Sequence, residues 1–360
     1  MALARPLSLP YTSAVSPKVK VAVLGVGSLG KEHARIYAEL AASSLVEFVG
    51  VHDPDSAAAQ RISSQYGVPS FASIDEASAK AEALSVVTPT VTHHAIAKSL
   101  LLRSKHLLVE KPMTATTAEA GELVRLAQER QLVLQVGHVE RFNPVFRYLE
   151  SVVTEPRFIE VHRLSPFPAR STDIGVVLDL MIHDLDLILA FVKAPLTGLE
   201  AVGIPVLSAS EDIANARLRF ANGCVANLTA SRISPERMRK IRVFSGGARP
   251  AYISLDYRAQ EGFIYRLAGG EEKESSLLKK LLAGSSSAII SEFAGKKIVR
   301  EPVPVEKDEP LKLELKSFVE CVAAKATPVV SGASAKRALD LAVEITRLIA
   351  QNEQHAATRS

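Results

Sequence analysis

Hydrophobic and polar positions follow two different rhythms along this chain. From residue 18 to about 137, short apolar runs alternate with helix-like stretches. Val19 to Leu24 is followed by Lys31 to Ala42, and Val46 to His52 by Ser56 to Tyr66, which Gly67 closes. A very short third run, Val68 to Phe71, precedes a fourth, Ala83 to Val87, that stops at Thr88-Pro89. Val91 to Leu102 reads as a helix, His106 to Val109 as a fifth strand and Leu132 to Val136 as a sixth. Between the last two, Thr116 and Glu119 have the spacing of a capping box at a helix start. Strands alternating with helices predict a parallel α/β sheet.

Past Gly137 the rhythm changes. A helix from Pro144 to Val153 leads to a strand, Phe158 to Leu164, a proline-bearing loop, Ser165 to Arg170, and a helical stretch, Val177 to Phe191. From about Leu199 to Leu267 short strands succeed one another, with Asn222-Gly223 and Gly246-Gly247 as hairpin turns. That pattern predicts an antiparallel sheet and an α+β second half. Residues 269–300, rich in Gly, Ser and Lys, read as irregular or mobile, and two helices, Pro310 to Lys325 and Ala333 to Gln351, close the chain.

Composition narrows the class. At 360 residues the chain is too long for one ordinary core, which predicts two domains. Residues 1–17, interrupted by Pro6 and Pro10, read as a flexible leader before a first domain at 18–137 and a second at 138–330. A net charge of +4 suits a small anionic molecule and offers no basic stripe for nucleic acid. No apolar run approaches a membrane span. Cys224 and Cys321 have no metal spacing and form no disulfide framework, so no metal is expected and a reducing cytoplasm fits.

Gly25-Val26-Gly27-Ser28-Leu29-Gly30 joins the first strand to the first helix as G-x-G-x-x-G. Gly25 permits the tight turn, Gly27 lets a pyrophosphate approach the backbone, and Gly30 lets the helix pack closely on the sheet. The N–H groups from Ser28 and Leu29 onward lie at a helix start, where phosphates bind. Asp53 ends the second strand at the distance where a carboxylate accepts from ribose hydroxyls and repels a 2′-phosphate. Its other reading, with Pro54 behind it, is a helix N-cap. The dinucleotide reading favours NAD over NADP. Thr88, Pro89 and His93, and Glu110 with Lys111, sit in loops at carboxyl ends of strands, where cofactors bind in such sheets.

Three constellations suggest proton chemistry. In Glu110-Lys111-Pro112, an ammonium at a strand end could polarise a carbinol oxygen, with Glu110 holding the lysine and a cis X-Pro bond directing it; otherwise this is an exposed turn. In the helix at Asp179-Leu180-Met181-Ile182-His183, four-residue spacing puts Asp179 and His183 on one face, where the carboxylate can orient an imidazole base; a surface ion pair has the same spacing. In Gly137 to Pro144, Arg141 and Asn143 could bind substrate oxygens at the domain junction, although Asn143 also suits a cap for the helix that Pro144 starts. Arg163, Arg170, Arg232 and Arg237 offer guanidinium forks for a diphosphate.

Taken together, GVGSLG, Asp53, TPTVTHH at 88–94, EKP at 110–112 and DLMIHDLD at 179–186 resemble the Gfo/Idh/MocA oxidoreductases over residues 18 to about 350. The resemblance implies an NAD-binding Rossmann domain, then a substrate-binding domain with a large open, mainly antiparallel sheet, and a C-terminal helix, 331–360, packed back on the first domain. It implies Lys111, Asp179 and His183 as catalytic residues and a homodimer or homotetramer built through the sheet. GHVERFNP at 137–144 and RLSPFPAR at 163–170 are similar to the subgroup acting on UDP-N-acetylhexosamines, which makes a 3-keto sugar for later amination in lipid A or surface polysaccharide. That similarity implies Lys111, Arg141, Asn143, Arg163 and His183 at the substrate. A free-sugar or inositol dehydrogenase would share the chemistry without diphosphate contacts. A non-catalytic NAD-sensing protein would need the glycines and Asp53 but not Lys111, Asp179 and His183 together. Before the catalytic helix the family's double-Gly turn is here Gly175-Val176-Val177, with one glycine.

Overall fold

A computed structural model describes residues 18–167, 174–247, 250–267, 288–293 and 296–357. The expected leader, Arg170, and residues 269–287 of the segment read as irregular lie outside them.

The first half runs β1 (Val19–Leu24), α1 (Gly30–Ala42), β2 (Val46–His52), α2 (Ser56–Tyr66), α3 (Ile74–Lys80), β3 (Ala83–Val86), α4 (Thr90–Leu102), β4 (His106–Val109), α5 (Thr117–Glu129) and β5 (Leu134–Val136). The strands form a parallel sheet in the order β2-β1-β3-β4-β5. Two expectations are corrected here. Residues 68–71 form only an isolated bridge, Ser70 to Val51, so the sheet has five strands, not six. The helix α3, capped by the Ser73 side chain on the Glu76 N–H, was not foreseen. The foreseen capping box of Thr116 and Glu119 is present, and Gly67 ends α2 in the left-handed conformation.

A 3₁₀ turn, Val139–Phe142, leads into α6 (Pro144–Val152), β6 (Pro156–Leu164), a π-helical turn at Val177–Met181 and α7 (Ile182–Phe191). Then come β7 (Leu196–Ile204), β8 (Ile213–Phe220), β9 (Val225–Ser231), β10 (Met238–Ser245), β11 (Ala251–Asp256), β12 (Glu261–Leu267), β13 (Ala288–Phe293) and β14 (Lys296–Pro302). These make a nine-stranded sheet, β13-β14-β12-β11-β10-β6-β9-β8-β7, antiparallel except where β6 pairs with β9. Residues 288–293 and 296–300, expected to be irregular, are therefore strand. One face alternates Ile159, Val161, Ala216, Leu218, Ala226, Leu228, Ile241 and Val243 into the core. The other carries a ladder of rings, Phe158, Phe244, Tyr252 and Tyr265, with centroids 5.7, 4.7 and 5.1 Å apart.

Two terminal helices complete the chain, α8 (Pro310–Ala324) and α9 (Gly332–Ala357). Although the sequence places α8 in the second half, its Leu315, Phe318, Val319 and Val322 share the core of β1 and α1. α9 touches α5 on one side and α7 and β7 on the other, tying the two halves together. Among the described residues no helix is long and apolar enough to cross a membrane.

Candidate active site

The order of the first sheet reverses between β1 and β3, and open α/β sheets bind ligands in the crevice at such a switch. A cavity of about 540 Å³ opens there, lined by Leu24, Gly25, Gly27, Asp53, Thr88 and Pro89 among others. Each motif glycine meets a distinct constraint. Gly25 has φ +86°, and a Cβ there would lie 2.4 Å from the Val87 carbonyl. A Cβ on Gly30 would lie 1.9 Å from the Gly25 carbonyl, while one on Gly27 would meet nothing within 4 Å. Gly25 and Gly30 are thus demanded by packing; Gly27 is exposed and leaves room for a ligand. No side chain caps α1 at Leu29, so its N-terminus presents backbone N–H groups and its positive dipole end to the solvent.

Asp53 is not the cap of α2; Asp55 is, accepting from the Ala57 and Ala58 N–H groups. Asp53 Oδ2 accepts from the Val26 N–H at 2.7 Å and Oδ1 from the Asp55 N–H at 2.9 Å. The carboxylate therefore braces the glycine loop and keeps lone pairs for two ribose hydroxyls. These residues fit a bound NAD.

At the end of β4 the Lys111-Pro112 bond is cis. Contrary to the expectation from sequence, Glu110 does not hold the lysine ammonium. Its Oε2 accepts from the Lys111 backbone N–H at 3.2 Å, and its Oε1 lies 3.2 Å from Nε2 of the buried His33. Gly137 leaves room for that carboxylate, since a Cβ there would lie 2.6 Å from it. The ammonium reaches across to the second half instead. It donates to the Asp179 carbonyl at 2.8 Å and lies 3.3 Å from Asp179 Oδ1.

This overturns the expected Asp179–His183 bond. Val177–Met181 winds as a π turn, the Asp179 side chain meets the Lys111 ammonium, and His183 Nδ1 has no hydrogen-bond partner. The turn starts where Glu211 Oε1 and its carbonyl accept from the Val177 and Val176 N–H groups. A Cβ on Gly175 would lie 1.9 Å from that carboxylate, so the single glycine of this loop is needed. His183 is half-buried, and its Nδ1 is buried without a hydrogen-bond partner. Burial, then the charges of Lys111, Arg163, His138 and Arg239, hold its pKa well below the usual imidazole range. The ring is neutral at pH 7 and able to accept a proton.

Three expected ligand contacts are structural instead. Asn143 is buried, caps α6 through the Val145 N–H, and donates to Glu140 and to the Tyr257 carbonyl. Arg163, also buried, forks onto Asp184 with two 2.8 Å bonds and reaches Glu140 at 3.2 Å. His93 is buried with Nδ1 2.9 Å from the Pro112 carbonyl and Nε2 2.7 Å from the Thr88 carbonyl, so it staples two loops and does not face a cofactor. Arg232 is buried against Asp212, and His94 pairs with Glu122 at 2.7 Å. Arg141 lies 3.6 Å from the buried Asp186, and Arg237 is exposed.

Sequence reasoning missed four residues. His33 lies on the buried stripe of α1 with Tyr37 and Leu40, which its spacing could have revealed. Glu314 likewise interrupts the stripe of Leu311, Leu315 and Phe318, and neither carboxylate oxygen has a partner. Arg239 alternates with Ile241 and Val243 on β10, hence on the inward face; half-exposed, it approaches Glu140 at 3.5 Å and its charge is felt at His183. His138 packs edge-on against His183.

A glycine loop, a braced acidic residue, a lysine on a strand end that meets Asp179 of the second half, and a neutral histidine on the same helical stretch as Asp179 define a nicotinamide-dependent oxidoreductase. Residues 19–138 match the Gfo/Idh/MocA model for an oxidoreductase family with an NAD-binding Rossmann fold, and residues 149–246 match that family's C-terminal domain. The chain is 35% identical over 328 residues to a UDP-N-acetylglucosamine 3-dehydrogenase of Acidithiobacillus ferrooxidans, covering 91% of this chain and 96% of that protein. A solved structure of the 3-dehydrogenase from that organism superposes with a TM-score of 0.78 at 33% identity, covering 92% of this chain and 98% of the other. A scyllo-inositol 2-dehydrogenase of Bacillus subtilis is 25% identical over 349 residues, covering 91% and 93%. The chain belongs to the Gfo/Idh/MocA family, and it is an NAD-binding oxidoreductase.

Proposed function

We propose that the protein oxidises a secondary hydroxyl of a UDP-N-acetylhexosamine, UDP-N-acetylglucosamine first among them, to the 3-keto sugar. The observation that carries catalysis is the meeting of Lys111 and Asp179 across the cleft, with His183 beside them. An NAD-sensing protein would have no use for that arrangement. Bound NAD, held by Gly25 to Gly30, Asp53, Thr88 and Pro89, supplies the hydride acceptor. Two of the lysine's three donors point at Asp179, leaving one for the substrate oxygen. Asp179 is a positioning residue for Lys111. With Nδ1 of His183 turned inward, Nε2 is left to take the hydroxyl proton.

The nucleotide-sugar reading draws on the extended similarity to the 3-dehydrogenase and on Arg239. Arg163 already occupies Glu140, so the half-exposed Arg239 keeps positive charge at the cleft for a diphosphate. Similarity to the scyllo-inositol enzyme favours a free cyclitol as the second reading. The aromatic ladder on the open sheet supports assembly into a homodimer or homotetramer through that face. To test the substrate, NAD is mixed with each candidate sugar and absorbance of the reduced cofactor is followed. Reduction with UDP-N-acetylglucosamine and none with glucose or inositol is expected, and the reverse pattern would reject the proposal.

A further inference from the structure

Beside Lys111 lies a buried pair that the mechanism above does not use. Glu110 follows β4 directly and is buried, and burying a carboxylate without donors is costly. Among the described residues each of its oxygens has one partner. Oε2 accepts from the Lys111 backbone N–H at 3.2 Å, and Oε1 lies 3.2 Å from His33 Nε2. An ionised carboxylate accepts and does not donate, so the His33 Nε2–H is the donor. His33 makes no other polar contact through its ring among the described residues: it is fully buried on α1, and its Nδ1 has no hydrogen-bond partner. An apolar side chain would complete the buried stripe with Tyr37 and Leu40 equally well, so packing alone does not call for an imidazole there. Gly137, just past β5, closes on the same carboxylate, which a Cβ there would meet at 2.6 Å. Glu110 is thus held from α1, hemmed in at the end of β5, and bonded to the backbone of Lys111.

We propose that His33 is a positioning residue for Lys111, acting through Glu110. The lysine is then fixed at both ends: its backbone N–H on Glu110, and its ammonium on the Asp179 carbonyl and Oδ1. Both holds are needed, because the stem of a lysine side chain is flexible. Without the His33 Nε2–H, Glu110 Oε1 is left with no donor in the interior. The carboxylate then turns toward water or another donor and takes the Lys111 N–H with it. A displacement of about 1 Å at a reacting group is enough to slow a reaction about 100-fold. Because α1 begins at Gly30 of the dinucleotide loop, one helix seats both that loop and the lysine. His33 itself touches neither substrate nor cofactor in this scheme.

The inference rests on the reading of Lys111 as a catalytic residue, and the experiment separates the two. Wild type, His33→Leu, His33→Gln, Lys111→Ala and the double variant of His33→Leu with Lys111→Ala are compared at saturating NAD and UDP-N-acetylglucosamine. His33→Leu is expected to lower kcat about 100-fold while the Kd for NAD, read by calorimetry, stays within about threefold of wild type. His33→Gln places an amide N–H at about the reach of Nε2 and is expected to bring kcat back to within about tenfold of wild type. In the Lys111→Ala background His33→Leu is expected to cost nothing further, because the group it acts through is gone. A merely structural role gives other results: weaker NAD binding or a lower melting temperature with kcat intact, or the same loss with and without the lysine. Either overturns the proposal. A slow Lys111→Ala beside a His33→Leu at wild-type kcat rejects the positioning role and leaves the lysine reading standing. Near wild-type turnover in Lys111→Ala, or a wild type that oxidises no candidate sugar, removes both. If His33→Leu does not fold, Gly137→Ala decides, since its methyl group displaces the same carboxylate without touching His33. Lowered kcat with NAD affinity kept supports the proposal, and wild-type kcat overturns it.

Discussion

The two walls of the cleft use their polar residues in opposite ways. On the Rossmann wall the glycine loop, Asp53 and Lys111 stand at strand ends and face the cavity or the opposite domain. On the sheet wall most conspicuous polar residues are turned inward: Arg163 onto Asp184 and Glu140, Arg232 onto Asp212, and Asn143 into a helix cap. The contrast teaches that a motif residue remains available to a ligand where the chain must turn to expose it. A charge on a long strand is available only if no partner folds against it. A buried guanidinium demands that partner, because an unpaired charge in the interior costs several kcal/mol.

Substitutions on each wall sharpen the contrast. Lys111→Ala is expected to lower kcat by about 10³-fold, roughly 4 kcal/mol on the barrier, with an unchanged thermal midpoint. Turnover near wild type in that variant would break the catalytic assignment of the first wall. Arg163→Leu, on the other wall, is expected to cost about 3–5 kcal/mol of stability by leaving Asp184 and Glu140 uncompensated, and chemical denaturation measures it. If it instead folds normally and loses only substrate affinity, Arg163 is a ligand residue after all.

Smaller effects follow. Arg239→Gln is expected to weaken UDP binding about 10-fold in calorimetry, near 1.4 kcal/mol, with little change in stability; equal affinity would remove it from the diphosphate contact. The smallest is Glu314→Gln. Burial, and the nearby charges of Glu110 and Asp186, raise the Glu314 pKa well above the usual carboxylate range. The unfolded chain gives up this proton at its ordinary pKa and the folded chain does so only at higher pH. Folding stability from this group is therefore fully present in acid and declines as pH rises past the unfolded value toward the folded one. Glu314→Gln removes the decline, giving a melting gain of about 2 °C or more at pH 8 and almost none near pH 4. Equal gains at both pH values would mean that the carboxyl is not the cause.

Much of the site was legible in the chain because it depends on neighbours in sequence. Gly25, Gly27, Gly30 and Asp53 follow from a strand that must turn into a helix, and Lys111 from a proline beside a strand end. His183 announced itself by interrupting an apolar helix. The Asp179–His183 spacing misled because it does not show that Lys111, 68 residues earlier in the chain, meets the Asp179 carboxylate. Glu211, from another part of the chain, binds the Val176 and Val177 N–H groups where the π turn starts. Likewise the run Val68 to Phe71 was too short to show whether it made a ladder or a single bridge.

Taken alone, the order of residues determined that a parallel, dinucleotide-binding sheet precedes a mainly antiparallel one, since hydrophobic period and turn residues act over a few positions. Only the tertiary structure decided which charges meet. Arg163 and Asp184 are 21 residues apart, Lys111 and Asp179 are 68 apart, and the sheet registers and α7 bring them within hydrogen-bond reach. Electrostatic pairing depends on distance in space, and no local pattern encodes that distance before the two sheets close on one another.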